Sequence, residues 1–372
     1  MEKIVAVVIC SVLALSTAGA PAAATNHGLL REASNLSGLP VHRVVPEKML
    51  ARAQYDSAIL RAANREYPRS LRSTDAALYA RLGLMSRVPQ ARLVSTSQSS
   101  RAWYDPAARR LLLRRTPLPQ RARIVNELVR ALVDQNFNLR RVVGLRLRDR
   151  DRALAAKAIV DGTAALASGV GGSPVRGTPL ERFLQLELGL DAGKALAKQL
   201  RYIGGSRALA SALRSFPQTT EQLLHIDKFL EREPALLVPL PTRIGDWKLS
   251  TSETFGELDV RGLLLTFGVS NAGATAAGWG GGRAGLYVSP TGETTAALVL
   301  RWDTIEDATA WRDAVTSYVG AAFPGATAND CPPLDHCWSG ASTLASGVLG
   351  TTSVFSSGPG SATLAAALFA RT

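Results

Sequence analysis

Residues 119–137 place five polar side chains, Arg123, Asn126, Glu127, Arg130 and Asp134, along one side of a predicted helix. Ile124, Val125, Leu128, Val129, Leu132 and Val133 make an apolar stripe on the other side. A further acid, Asp161, stands in Ala158-Ile-Val-Asp161-Gly-Thr-Ala-Ala-Leu, amid an apolar helix face. A carboxylate there is costly unless it is paired. The two helices together describe a polar site inside an apolar body.

Other residue types with chemical potential are sparse. His27, His42, His225 and His336 are scattered, without a carboxylate or second His at metal-ligand spacing. Cys331 and Cys337 close the short segment Cys-Pro-Pro-Leu-Asp-His-Cys. In an exported chain this loop favours a local disulfide over two free thiols. A metal site there would need more ligands than His336 supplies. Gly278-Trp-Gly-Gly-Gly282 lacks the Gly-Lys-Ser/Thr of a phosphate loop and reads as a strand-edge or turn element, with Trp279 as a packing anchor. Without a Gly-x-Ser-x-Gly sequence, a serine-hydrolase elbow has no support.

The chain has 372 residues, 46% hydrophobic and 20% charged, which excludes a wholly disordered protein. Three Cys and four His exclude a disulfide-dense or multi-zinc scaffold. The net charge of +13 is unevenly spread. Residues 101–152 hold 14 Arg against 5 acids, whereas residues 249–372 hold 5 basic and 10 acidic residues. The Arg-rich stretch is not interleaved with stacking aromatics, so nucleic acid is not the expected partner. A solvated face, or contact with anionic envelope polymers or lipid head groups, is expected instead.

Met1-Glu2-Lys3, an apolar run from Ile4 to Leu15 and Ala22-Ala23-Ala24 before Thr25 read as a secretory signal peptide over 1–24. The same segment, with Cys10 as one of its apolar residues, is long enough for an uncleaved anchor. The expected location is secreted or cell envelope.

Residues 25–90 carry turn formers and helical patches. Ala91–Ser95 and 101–113 read as strands, the latter turning at Asp105-Pro106. Helices are predicted at about 119–137, 149–168, 179–202 and 206–215, and Thr219-Thr-Glu-Gln222 opens a short one. Pro234, Pro239 and Pro241 mark a linker. Beyond it, Gly285–Ser289 and Thr294–Trp302 predict a hairpin, 303–320 a helix, 347–357 a strand and 361–371 a terminal helix. The fold class is α+β: a mostly helical domain over 91–238 with a small edge sheet, then a small α+β domain over 239–372.

Val125-Asn126-Glu127-Leu128-Val129-Arg130-Ala131-Leu132-Val133-Asp134-Gln135-Asn136-Phe137 resembles the active-site helix of secreted bacterial gluzincin-type metallopeptidases, HExxHALxDQxF. Val160-Asp161-Gly-Thr-Ala is similar to their Val-Glu-Gly-Asp-Ala motif, whose acid is the third zinc ligand. Arg101-Ala-Trp-Tyr-Asp-Pro resembles their edge strand, and Pro217–His225 a downstream segment. The resemblance spans roughly 95–345 and implies a zincin-like domain with Glu127 in the general-base position.

Both histidine positions differ: Asn126 and Arg130 stand there. Arginine keeps its proton and repels a cation. Asp161 is one methylene shorter than the family's Glu. The expectation is a metallopeptidase-like protein that binds no zinc and is catalytically inactive, with a binding or scaffolding role at the cell envelope toward a partner the sequence does not name. Two alternatives are an active zinc metallopeptidase with a non-standard ligand set and a basic module docking on anionic envelope polymers. If the fold persists, Arg130 supplies the positive charge and pairs with Asp161, with Glu127 nearby.

Overall fold

The computed structural model describes residues 21–85, 101–172 and 174–371. The leader over 1–24 therefore lies almost wholly outside the described residues, as does the strand expected at Ala91–Ser95. The protein is α+β, with a helical first half beside a small sheet and a large antiparallel sheet in the second half.

Residues 25–85, which carry no clear sequence period, form three helices and a strand: α1 (Pro21–Ser37), β1 (Glu47–Leu50), α2 (Arg52–Glu66) and α3 (Arg69–Arg81). The hairpin over 101–114 is β2 (Ala102–Asp105) and β3 (Arg110–Arg114). β3 pairs antiparallel with β2 and parallel with β1, giving a three-stranded sheet with β2 on one edge. Tyr55 and Ile59 of α2 pack with Leu50 and Leu112 of this sheet.

The helix expected after Pro119 is α4 (Arg121–Phe137); it ends at Asn138, which turns left-handed (φ 57°) and donates to the Asp134 carbonyl at 2.9 Å. Asp149 caps α5 (Arg150–Ser168) by accepting from the Arg152 N–H at 3.1 Å, and Gly169 ends it with φ 71°. Thr178 and Glu181 form a capping box on α6 (Pro179–Glu187). The helices expected at 179–202 and 206–215 divide differently: α6 stops at Glu187, and α7 (Leu190–Arg214) continues through a kink at Gly204 and Gly205. Short helices α8 (Thr220–Leu224) and α9 (Ile226–Glu231) follow.

The first core joins α1, α4, α5 and α7 through Leu30, Leu128, Val129, Leu132, Ile159, Leu196 and Leu200. α4 is buried on both stripes: Asn126, Glu127 and Asp134 are buried along with its leucines. Apart from the exposed Arg123, its polar side faces β2 and α5.

The second half begins with the strands β4 (Arg243–Ile244) and β5 (Trp247–Thr254) and the helices α10 (Glu257–Thr266) and α11 (Ala272–Ala276). A long hairpin, β6 (Trp279–Val288) and β7 (Thr294–Trp302), leads into α12 (Ile305–Ala322). Two further hairpins, β8 (Thr327–Cys331) with β9 (Leu334–Ser339) and β10 (Leu344–Leu349) with β11 (Thr352–Ser357), precede α13 (Ser361–Phe369). Their eight strands are ordered β4-β5-β6-β7-β11-β10-β9-β8, all antiparallel. The strand expected at 347–357 is thus a hairpin. Gly278–Gly282 leads into the inner strand β6 rather than lying at an edge. The glycines are needed because other groups crowd in; a Cβ on Gly281 would overlap the Leu236 carbonyl. Trp279 is buried and donates its indole N–H to the Phe255 carbonyl at 3.0 Å.

One sheet face packs Trp302, Phe355 and Leu298 against α10 and α12. Tyr79 of α3, Leu84 and Phe183 of α6 join that same core, so segments preceding the proline-rich stretch fasten onto the second half. The other face is covered by Leu364 and Leu368 of α13, on Tyr287, Val299 and Val354.

Candidate functional site

Asp161 and Arg130 meet between α5 and α4: the Arg130 guanidinium lies 3.0 Å from an Asp161 carboxylate oxygen. It also reaches Glu127 at 3.5 Å, one turn back on its own helix. The guanidinium thus spans the two carboxylates. Lys157, one turn before Asp161, makes a close ion pair with the second Asp161 oxygen.

The other Glu127 oxygen accepts the Tyr104 backbone N–H at 2.9 Å. Tyr104 lies in β2, and that N–H points away from β3, toward α4. Glu127 therefore satisfies the edge strand's outward amide. Its carboxyl is pushed above the usual carboxylate range by burial, which the Arg130 charge and the Tyr104 N–H only partly oppose. Burial also pushes Asp161 upward, but Arg130 and Lys157 more than offset it and hold this carboxyl below its usual range. Arg130 itself is made harder to deprotonate, because Asp161 and Glu127 outweigh its burial.

Asn126 turns elsewhere. Its amide donates to the Ser168 hydroxyl at 3.1 Å, near the end of α5. Asp134 accepts the Tyr104 hydroxyl at 2.7 Å and the Leu139 N–H at 2.7 Å, with Arg109 at 3.5 Å. Of the polar stripe, only Glu127 and Arg130 share the Asp161 site. Zinc, which the resemblance implies for active relatives, does not fit this donor set. No imidazole is present, both carboxylates are engaged, and a permanent cation lies between them.

Cys331 and Cys337 form a disulfide with Cα atoms 5.8 Å apart, at the β8–β9 edge of the large sheet, within the second half. His336 lies against Trp338 with ring centroids 5.4 Å apart and planes tilted by 49°. His42 hydrogen-bonds the Asn136 amide at 2.9 Å. His225 pairs with Glu257 at 2.9 Å, where α8 and α9 meet α10, and that contact raises its pKa.

Sequence reasoning did not find two further charged clusters. Arg150 is fully buried and pairs closely with Glu187 and Asp259, with Glu253 at 3.5 Å. This cluster links the start of α5 to α6, β5 and α10. Separately, Glu221, Glu233 and Asp303 gather within 4.8 Å of one another. The Lys228 ammonium is among them, at 2.5, 3.1 and 2.7 Å respectively. Glu221, Lys228 and Glu233 are near in sequence but at no i,i+3 or i,i+4 helix spacing, and Asp303, like the partners of Arg150, comes from a distant stretch, so helix or strand spacing carries no trace of either group.

A family described as a domain of unknown function (DUF8575) matches residues 243–367, about a third of the chain and most of the large-sheet half. No curated protein and no solved structure matches the chain.

Proposed function

We propose that this is an exported, metallopeptidase-like protein without catalytic activity, acting in binding or scaffolding at the cell envelope. The observation that carries the reading is the Arg130 guanidinium lying between Glu127 and Asp161. An enzyme of the resembled type needs a metal-bound water beside a free carboxylate base. Here the base-position carboxylate is tied to Tyr104 and Arg130, and a fixed cation occupies its neighbourhood. The site then works as an internal brace that holds β2, α4 and α5 in register. The apolar leader and the disulfide favour an exported chain. Exposed arginines such as Arg115, Arg123, Arg140, Arg148 and Arg152 offer contacts to anionic envelope polymers.

Elemental analysis after mild purification, with a peptide-cleavage assay on the same sample, tests the reading. The expected result is no stoichiometric zinc and no cleavage. One zinc per chain, removed by chelator with a fall in thermal stability, overturns it.

A further inference from the structure

α7 carries an exposed apolar corner. Tyr202 is 91% exposed and Ile203 is 54% exposed, immediately before the kink at Gly204 and Gly205. Gly205 takes φ 59° with ψ −154°, a conformation essentially restricted to glycine. The helix therefore breaks just after the two side chains and leaves them exposed at the kink. Leu36, 41% exposed near the end of α1, is adjacent: the Arg201 guanidinium donates to the Leu36 carbonyl at 3.3 Å. Large apolar side chains this exposed need a reason when they cluster.

The charge around the corner has one sign. From Ala192 to Thr220 the chain holds Lys194, Lys198, Arg201, Arg207 and Arg214, and no acid. Lys198 and Arg207 are exposed on either side of the corner, and Arg201 is half-buried beside it. The α1 acid, Glu32, is taken by Arg121 at 2.6 Å.

We propose that this corner docks on an anionic lipid surface. Tyr202, Ile203 and Leu36 enter the boundary between head groups and acyl chains, and Lys198, Arg201 and Arg207 contact the head groups. The inference is independent of the reading of the Arg130 site. Three observations select a bilayer as the occupant. The charge around the corner is basic with no acid from Ala192 to Thr220, which complements an anionic surface. Three apolar residues are too few for a stable protein interface, which needs on the order of 800 Å² per partner. A bilayer needs only a few inserted side chains, an aromatic ring with a polar tip among them, and a ring of cations.

The test uses the full chain with Tyr202→Trp, mixed with phosphatidylglycerol or phosphatidylcholine vesicles carrying bromine on shallow acyl positions. Residues 4–15 are apolar and could hold the protein on vesicles by themselves, so the readout must be local. The expected result is quenching beyond that of the unsubstituted chain, with a blue shift, on phosphatidylglycerol only and weakened by salt. Ile203→Ser with Leu36→Ser, made in the Tyr202→Trp chain, should raise the lipid concentration that gives half of the added quenching on the order of tenfold. Lys198→Glu with Arg207→Glu, made in the Tyr202→Trp chain, should abolish the added quenching, as each cation adds surface attraction. All these positions are exposed, so thermal unfolding should not move. No added quenching from the Tyr202→Trp chain on phosphatidylglycerol, quenching equal on both lipids, or an unshifted quenching curve in the serine variant overturns the proposal.

Discussion

Gly162 on α5 and Gly193 on α7 face each other with no room for a side chain on either. A Cβ on Gly162 would overlap the Gly193 backbone, and one on Gly193 would overlap the Ala158 carbonyl. The two helices therefore cross at backbone contact, and Asp161 stands one residue from the crossing. The position of the acid opposite Arg130 depends on this approach. Gly193→Ala should destabilise the protein by roughly 3 kcal/mol, because the obstructing atoms are backbone and cannot rotate away. Gly171→Ala, where nothing lies within 4 Å, should stay within about 0.5 kcal/mol of the parent. Urea unfolding measures both, and a Gly193→Ala midpoint equal to the parent's would disprove the crossing.

The Arg130–Asp161 pair predicts strongly non-additive mutations. Asp161→Ala leaves a half-buried guanidinium with Glu127 alone and should cost about 2 kcal/mol. Arg130→Met combined with Asp161→Leu removes both charges and should cost much less than the two single changes summed. A double-mutant cycle in chemical denaturation reads the coupling, and additive effects would show that the pair is not a unit.

How far the site can be read from sequence depends on the range of each contact. The apolar stripe of α4 follows from the 3.6-residue period, and an acid within α5 demands a cation; that this cation is Arg130 is implied only by the resemblance of the two helices to the metallopeptidase motifs. Lys157 was open to the same logic at i,i+4 spacing, but such local pairs are weak and common. The Tyr104 N–H on Glu127 leaves no sequence signal, since it depends on how an edge strand registers against a helix. The same holds for Arg150, whose partners Glu187, Glu253 and Asp259 come from three separate elements. Of the large sheet, the β6–β7 hairpin is legible because a Pro-Thr-Gly turn punctuates it, whereas β10 and β11 read as one strand and β8–β9 as a loop. The strand order is not legible, because β7 next to β11 is a long-range pairing. Gly278–Gly282 misleads for a related reason: its glycines answer to the chain segment packed above β6, which local composition does not reveal.

The Cys331–Cys337 disulfide closes a six-residue separation, and short loops restrict the unfolded chain least. Replacing both residues by Ala should cost about 2 kcal/mol by that chain-entropy argument and leave the fold intact. Intact-mass measurement without reduction should show the bond in native material. Global unfolding on reduction alone would contradict a role limited to shaping the β8–β9 edge.

Asp151 joins three helix starts and sets a pH dependence. It lies in the first turn of α5, fully buried, and accepts the Thr220 N–H at 2.9 Å and the Thr220 hydroxyl at 2.5 Å, at the start of α8. Thr220 in turn accepts the Leu258 N–H at 3.1 Å, at the start of α10. Burial pushes the Asp151 carboxyl up to about 7; the Thr220 bonds oppose this and the nearby Asp259 charge adds to it. A folded pKa raised above the unfolded value means that the folded state holds the proton more tightly. The resulting stability is complete below the unfolded value and is lost as pH rises through about 7. Glu253, also pushed to about 7 by burial, and His225, raised by Glu257, act in the same direction. Asp161 is lowered, so its contribution disappears only at acid pH, outside this window. The unfolding midpoint should therefore fall between about pH 4 and 7 through the two carboxyls, with His225 extending the fall just above about 6.5, each group contributing a slope of at most about 1.4 kcal/mol per pH unit. Asp151→Asn cannot ionise and should flatten part of that slope, losing less stability than the parent over the same interval. Thermal melts across the range decide it; parallel profiles for parent and variant would remove Asp151 as a source of the loss between about pH 4 and 7.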